Sequence, residues 1–277
     1  MALAPGGGPC YRAGTVELGP FREIDMRISA NLGFLYGALP QIERIAAAAR
    51  DGFDAVEFHC PYEVPAADLA AALAQAGLPG LGINTRPGDA AAGEFGLGAV
   101  PGRETEADAY LDEALDYAAA AGIRNIHVMA GKASGAAAER SFVRHLSRGA
   151  ARAENLGITL LIEPLNSVDV PGYFLTGTDH ARRIVEQVGR SALRIMYDLY
   201  HMQIMQGNNI NRIRALGPLI GHLQIAAVPG RAEPDRGELA MGRVLRDCGY
   251  TGFVGAEYRP TIPPGEWLSR FRERLEH

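Results

Sequence analysis

Four acid or amide side chains stand near the ends of short apolar runs in the second half of the chain: Glu163, Asp198, Gln224 and Glu257. An apolar run of this length between turn residues is typical of a buried strand in a parallel sheet. A carboxylate in such a place loses its hydration, which is costly unless it has a partner. The repeated pattern therefore predicts one shared cation. A ligand set of oxygens without sulfur favours Mg²⁺ or Mn²⁺ over a structural zinc.

The elements that would position these side chains are strands and helices that alternate from Arg27 onward. Eight apolar runs predict strands, and the stretches between them show helical periodicity; the runs are Arg27–Asn31, Ala55–His59, Leu81–Asn84, Asn125–Met129, Thr159–Glu163, Arg194–Asp198, Gly221–Ile225 and Phe253–Glu257. Such alternation predicts a parallel sheet, and eight units predict closure into a (β/α)8 TIM barrel over residues 26–277. An open doubly wound sheet is the alternative, which the chain disfavours because no GxGxxG follows the first strand. We expect residues 1–25 to form a loose N-terminal extension outside the barrel.

The composition and charge of the chain indicate which kinds of molecule it binds. The chain has 277 residues and a formal net charge of -5, without a basic run, so we expect no nucleic-acid partner and a small-molecule substrate. No stretch approaches the roughly 18 apolar residues of a membrane span, and the N-terminus lacks an apolar signal core. Three scattered cysteines without CxxC spacing fit a reduced protein. These features predict a cytoplasmic protein without a membrane partner.

The segment 87–103 is rich in glycine and longer than most connections between a strand and a helix. On a barrel it would lie at the C-terminal rim, where long loops serve as lids or substrate clamps. We therefore predict a lid or clamp, and the alternative is a mobile insertion without a role.

Short motifs surround the four strand-end residues and the loops next to them: IEPLN (162–166), YDLYHMQ (197–203), GHLQIA (221–226), PGRAEP (229–234) and VGAEY (254–258). Further motifs lie upstream: SANLGFLY (29–36), GFDAVEFHCPY (52–62), INTRPGD (83–89) and GAVPGRE (98–104). Together they resemble the motifs of the hydroxypyruvate isomerase family within the xylose-isomerase-like barrels. The resemblance covers nearly the whole chain after about residue 26.

The resemblance implies roles for individual residues. The divalent metal would be held by Glu163, Asp198, Gln224 and Glu257, and Glu163 and Glu257 would also be the acid/base pair. The substrate would be contacted by His201 and Arg231, with Lys132 as a weaker candidate for its carboxylate.

Two positions depart from the family pattern. Ala232 stands where the family loop usually has glycine, and if that glycine permits an unusual backbone angle, Ala232 would shift Arg231 and change the substrate preference. Arg86 stands where we expect a proline, and it is a third candidate cation for a substrate carboxylate.

The activity implied by the resemblance is the interconversion of hydroxypyruvate and tartronate semialdehyde. A divalent cation stabilises the enediolate intermediate, and the two glutamates move the proton between neighbouring carbons. The alternatives are an isomerase or epimerase of a longer 2-oxo acid such as 2-oxotetronate, a ketose 3-epimerase, and a non-catalytic sugar-binding barrel. A metal-dependent endonuclease is a further alternative, but it would need more histidine ligands and a basic rim. Barrels that resemble this one commonly pair, so we expect a homo-oligomer, either a dimer or a tetramer.

Other titratable residues have less specific interpretations. Glu57 and His59 share the inward face of the second strand, where they would line a pocket, or Glu57 would pair with an arginine below the site. His127 and His222 lie within strands and are predicted to be buried histidines, either in the core or beside the metal ligands, and not ligands themselves. His145 and His180 fall in helical patterns and are predicted to be surface residues.

Overall fold

A computed structural model describes residues 26–235 and 250–275. Its strands are β1 (Ile28–Asn31), β2 (Ala55–Glu57), β3 (Gly82–Asn84), β4 (Asn125–His127), β5 (Thr159–Ile162), β6 (Leu193–Asp198), β7 (Ile220–Ile225) and β8 (Val254–Ala256). Its helices are α1 (Gln41–Arg50), α2 (Ala66–Ala76), α3 (Glu104–Ala121), α4 (Gly135–Leu156), α5 (Thr178–Val188), α6 (Leu199–Met205), α7 (Asn209–Leu216) and α8 (Pro264–Leu275). Two short 3₁₀ segments, Ala90–Ala92 and Gly217–Leu219, complete the described elements.

The strands form one parallel sheet that closes on itself. Hydrogen-bonded neighbours follow the order β2-β1-β8-β7-β6-β5-β4-β3. The two ends of this order are joined as well, because the Val56 backbone N–H donates to the Pro79 carbonyl at 3.0 Å and the Val56 carbonyl accepts from the Leu81 N–H at 2.8 Å. The predicted (β/α)8 barrel is therefore confirmed, and the open doubly wound sheet is excluded.

The side-chain alternation of a strand explains how an apolar run delivers a carboxylate to the barrel mouth. On β5, Leu160 faces helix α4, where it lies near Gly149, whereas Leu161 lines the barrel interior. Successive side chains on a strand point to opposite faces, so Glu163, two residues after Leu161, shares its inward direction. Glu163 and Glu257 each follow their strand by one residue, Asp198 is the last residue of β6, and Gln224 lies within β7.

Helices α3 and α4 end at glycines, and their close packing buries a histidine. Gly122 and Gly157 follow α3 and α4 with φ of 73° and 66°, a left-handed conformation that glycine adopts without steric cost. The prediction that His145 is a surface residue is wrong. Its side chain is buried between α4 and α3, and Nδ1 lies 2.6 Å from Asp108 Oδ1. His180 is partly buried.

The segment 87–103 lies at the C-terminal rim, as predicted, and is attached to the exit of β4. Backbone N–H groups of Gly98 and Ala99 donate to the carbonyls of Met129 and Ala130, at 3.1 and 2.7 Å. Within the segment, Glu94 pairs with Arg103. The lid movement itself stays a prediction.

Two further predictions meet the limits of the described ranges. The N-terminal extension, residues 1–25, lies outside them, as do two of the three cysteines. Among the helices of residues 26–235 and 250–275, none is long and apolar enough to cross a membrane.

Candidate active site

A cavity of about 530 Å³ opens at the carboxyl ends of the strands. Five of the predicted site residues line it: Glu163, His201, Gln224, Arg231 and Glu257. Asp198 is completely buried at the side of this group. The mouth of a TIM barrel is where active sites of this fold are found, so the cavity is the candidate active site.

Two carboxylates converge on the guanidinium of Arg231. Its Nη2 lies 2.9 Å from Asp198 Oδ2 and 2.8 Å from Glu257 Oε2. Ligand atoms of Glu163, Asp198 and His201 lie within 4.8 Å of one another, which is compatible with a shared metal ion. The structure thus brings together residues that are separated by up to 94 positions in the sequence, as the prediction from strand ends requires.

Two buried oxygens in this cluster have no hydrogen-bond partner among the described residues: Glu163 Oε1 and Gln224 Oε1. A buried acceptor without a partner costs about 1–3 kcal/mol. Carboxylate and amide oxygens are the ligands that hard divalent cations prefer. The oxygens of this cluster are thus of the kind that a hard divalent cation takes, and the predicted set of four ligands, Glu163, Asp198, Gln224 and Glu257, stays a prediction.

Arg231 is held tightly by its surroundings. Its φ of 53° lies in the left-handed region, which non-glycine residues rarely adopt. The guanidinium carbon lies 4.9 and 4.7 Å from the ring centres of Phe34 and Tyr200, and Nε donates to the Glu257 carbonyl. Ala232 is not among the residues with positive φ, so the unusual backbone angle of this loop falls on Arg231 itself. The effect of Ala232 on substrate preference stays a prediction.

Donors face both ring nitrogens of His201. The backbone N–H of Asn166 donates to Nδ1 at 3.1 Å, and Arg231 Nη1 lies 2.9 Å from Nε2. A neutral imidazole accepts through one nitrogen and donates through the other, so it satisfies one of these two donors. With the proton on Nε2, His201 would donate to a substrate oxygen in the cavity. With the proton on Nδ1, Nε2 would accept from Arg231 or ligate a metal.

The surroundings push the pKa values of the two glutamates in opposite directions. Burial raises the pKa of Glu163, and the neighbouring Glu257 and Asp198 raise it further. Burial acts on Glu257 in the same direction, but Arg231 and His59 outweigh it and lower its pKa to about 2. Burial also raises the pKa of Asp198 against the opposing charge of Arg231. Shifts of this kind are typical of functional sites.

His59 contacts one of the predicted catalytic residues. Its Nε2 lies 3.0 Å from Glu257 Oε1, so His59 and Arg231 hold the two oxygens of the Glu257 carboxylate. The close approach of the ring depends on Gly33, since a Cβ there would lie 2.3 Å from a ring nitrogen of His59. His59 was predicted to line the pocket because it shares the inward face of β2 with Glu57, and it does so. Its contact with Glu257 was not predicted.

Glu57 lines the cavity, which is the first of its two predicted alternatives, and its described partners do not include an arginine. Its carboxylate accepts from Gln224 Nε2 at 3.0 Å and from the Ser29 hydroxyl, and it lies 3.0 Å from His222 Nε2. Burial lowers the pKa of His222, but the charge of Glu57 outweighs it, so that the pKa is raised. The carboxylate is thus the centre of a buried polar group at the strand ends.

His127 is buried, as predicted, on the inward side of β4. Its Nδ1 lies 3.5 Å from Glu163 Oε2, and burial lowers its pKa to about 3. It is therefore neutral near pH 7. His222 is buried as well, so both predictions of buried histidines are confirmed.

Two of the basic side chains that were candidates for binding the substrate carboxylate lie away from the cavity. Lys132 is exposed and donates to the Gly93 carbonyl at 2.8 Å. Arg86 forms two hydrogen bonds with Glu113 and stacks on a tyrosine ring. Arg259, which sequence reasoning missed, lines the cavity instead. Its position two residues after Glu257, at the end of β8, is the signal that could have identified it.

Comparison with known proteins decides the family. The model of the xylose isomerase-like TIM barrel family matches residues 45–276. The chain belongs to this family. This family member is 44% identical over 241 residues to the 2-oxo-tetronate isomerase of Cupriavidus necator, across 84% of this chain and 93% of that protein. It is 39% identical over 257 residues to the hydroxypyruvate isomerase of Escherichia coli, across 89% of this chain and 100% of that protein.

A solved structure has the same barrel. The crystal structure titled AP endonuclease, family 2, from Brucella melitensis superposes with a TM-score of 0.86 and 38% identity, over 90% of this chain and 98% of that one. The resemblance to the hydroxypyruvate isomerase family is confirmed by these comparisons, and the protein is an isomerase of this family.

Proposed function

We propose that this isomerase interconverts hydroxypyruvate and tartronate semialdehyde in a metal-dependent reaction. The observation that carries the proposal is the pair of buried glutamates, Glu163 and Glu257, in a cluster where two oxygens have no hydrogen-bond partner among the described residues. The residues that would hold Mg²⁺ or Mn²⁺ are Glu163, Asp198, Gln224 and Glu257. When bound, the cation supplies the positive charge that stabilises the enediolate oxygens.

The two glutamates account for the proton transfers. One carboxylate removes a proton from C3 of hydroxypyruvate, and the other returns a proton to C2. The hydroxyl proton on the C3 oxygen passes to the C2 oxygen, so the product has the same atoms as the substrate. Proton transfer by positioned carboxylates contributes about 10²- to 10⁴-fold to such reactions. His59 and Arg231 fix the direction of the Glu257 carboxylate.

Substrate orientation falls to the donors that face the cavity. His201 Nε2 and Arg231 Nη1 lie 2.9 Å apart, and with the proton on Nε2 both would donate to a substrate oxygen. Arg231 also provides positive charge for an anionic substrate, and Arg259 lies along the cavity wall. Lys132 stays a weaker substrate-binding prediction, because it does not line the cavity in this structure.

A second candidate substrate is 2-oxotetronate, which has one more carbon than hydroxypyruvate. Two observations favour it: a relative at 44% identity has this name, and the cavity of about 530 Å³ leaves room for a longer acid. The ketose 3-epimerases among the solved structures are 22% identical or less, so they show the fold alone. An endonuclease is disfavoured because the net charge of -5 gives no attraction for DNA.

The deciding experiment compares substrates with defined metals. The protein is treated with EDTA, dialysed, and supplied with Mn²⁺ or Mg²⁺, and product formation and solvent deuterium incorporation are followed by proton NMR. We expect turnover of both 2-oxo acids, with the larger kcat/KM for hydroxypyruvate. A larger value for 2-oxotetronate would replace the first substrate by the second. Absence of turnover with both acids, or full activity in excess EDTA, would refute the proposal.

Two further expectations belong to the proposal. We infer a cytoplasmic location from the composition, and a homo-oligomer, a dimer or tetramer, from the similarity to other barrels of this family. Light scattering of the purified protein measures the oligomeric mass directly.

A further inference from the structure

The Glu57 carboxylate reaches across the barrel mouth from β2 to β7. In the sheet, β1 and β8 lie between these two strands. The side chain crosses β8 at Gly255, where an added Cβ would lie only 2.4 Å from Glu57 Oε1. The absence of a side chain at position 255 thus provides the path by which Glu57 contacts Gln224.

The chemistry of the carboxylate decides which way the Gln224 amide points. An ionised carboxylate accepts hydrogen bonds and donates none, so the amide group facing it must be the NH₂. The 3.0 Å hydrogen bond from Nε2 to Glu57 Oε2 has this sense. The amide oxygen then points away from Glu57. On the other side of β7 from β8 lies β6, where Asp198 is the register partner of Gln224.

Two observations support a ligand role for this oxygen. Gln224 Oε1 is buried and has no hydrogen-bond partner in the part of the chain that the structure describes. Glu57 itself is 4% exposed and held by the Ser29 hydroxyl and by His222 at 3.0 Å, so the support is fixed. A flipped amide would set its oxygen against the Glu57 carboxylate, where two acceptors repel each other.

We propose that Glu57 is a positioning residue that holds the Gln224 amide with its oxygen toward the cation site. This inference rests on the proposed function, since it assigns a role toward the predicted metal. Residues that orient metal ligands typically change metal affinity or activity by about 10- to 100-fold when they are replaced.

The experiment measures Mn²⁺ binding without substrate. EDTA-treated and dialysed protein is titrated with Mn²⁺ by isothermal titration calorimetry, in wild type, Glu57→Gln, Gln224→Met and the double variant. We expect Glu57→Gln to raise the Mn²⁺ dissociation constant by about 10- to 100-fold. Glu43→Gln is the matched control, because Glu43 is an exposed glutamate on α1. Its dissociation constant should equal that of wild type.

The double variant separates positioning from general damage to the site. If Glu57 acts through Gln224, the double variant binds Mn²⁺ no more weakly than Gln224→Met alone. Multiplied effects of the two substitutions would overturn the inference. Wild-type affinity in Glu57→Gln would also overturn it, while the proposed metal dependence would stand. A wild-type protein that binds no Mn²⁺ would refute both.

A milder variant keeps the test decisive if Glu57→Gln does not fold. Ser29→Ala removes one hydrogen bond to the Glu57 carboxylate and leaves its charge in place. We expect a smaller rise in the Mn²⁺ dissociation constant, about two- to tenfold, with circular dichroism unchanged. An unchanged dissociation constant in Ser29→Ala would then count against the inference.

Discussion

Replacing Gly255 by alanine would place a methyl group in the path of the Glu57 side chain. The new Cβ would lie 2.4 Å from Glu57 Oε1 and 2.9 Å from Gln224 Cγ, which is closer than such atoms can approach. Both side chains are buried, and Glu57 is held by Ser29 and His222, so a shift of its carboxylate disturbs these contacts. One of the polar contacts at this point must therefore break.

The size of the effect follows from the packing and the hydrogen bonds. Overpacking a core costs about 1–3 kcal/mol, and a buried amide without its partner costs about 1–3 kcal/mol. Because movement of Glu57 relieves part of the overlap, we expect a total of about 2–4 kcal/mol in the free energy of unfolding. At about 2–4 °C per kcal/mol for a chain of this size, Tm should fall by about 4–16 °C.

The assay is urea and thermal unfolding followed by circular dichroism in EDTA, so that no metal contributes to stability. Gly37→Ala is the matched control, since a Cβ at Gly37 would meet no atom within 4 Å and its φ is not positive. A surface change of this kind stays within about 0.5 kcal/mol of wild type. If Gly255→Ala unfolds within about 0.5 kcal/mol of Gly37→Ala, the steric reasoning about Glu57 is wrong.

The remaining predictions concern catalysis, substrate binding and pH. Glu163→Gln and Glu257→Gln should each lower kcat by about 10²- to 10⁴-fold in the NMR assay, because each removes a carboxylate that moves a proton. Arg231→Met should lower kcat/KM by about 10- to 100-fold through the loss of charged hydrogen bonds, whereas Lys132→Met should change it less than about threefold. The free energy of unfolding of wild type, relative to His145→Gln, should fall as pH falls from about 7.5 to 5.5, by up to about 1.4 kcal/mol per pH unit. Burial lowers the pKa of His145 in the folded chain, so below about 6.5 the unfolded chain binds the extra proton.

Each of these has an outcome that would contradict it. Retention of more than a tenth of wild-type kcat in either glutamine variant would remove that glutamate from proton transfer. Equal losses in the Arg231 and Lys132 variants would show that Lys132 approaches the substrate. A flat or rising stability difference on acidification would show that His145 is not buried in its neutral form.

The sequence predicted the barrel and the strand-end residues because both depend on short-range patterns. Apolar runs between helical segments locate the strands, and a parallel barrel collects their carboxyl ends at one mouth. This is why Glu163 and Glu257 were found from strand ends alone. The predicted strands were too long by one or two residues at several ends, as with β4, which ends at His127.

The contacts that cross the barrel were not predictable in the same way. The partners of Glu57 lie on strands that are 28 and 167 positions away in sequence, and they become neighbours only when the barrel closes. The burial of His145 likewise depends on how closely α3 approaches α4, which periodicity within α4 does not show. Arg231 was found through family motifs, but its two carboxylate contacts required the structure.

The path of Glu57 across Gly255 has a consequence for recombination between relatives. A (β/α)8 barrel divides naturally into halves, and β5–β8 carry all four predicted metal ligands. Glu57 belongs to the other half and reaches Gln224 only where β8 lacks a side chain. A chimera that joins half-barrels from two relatives would therefore keep this contact only if positions 57, 224 and 255 were inherited together.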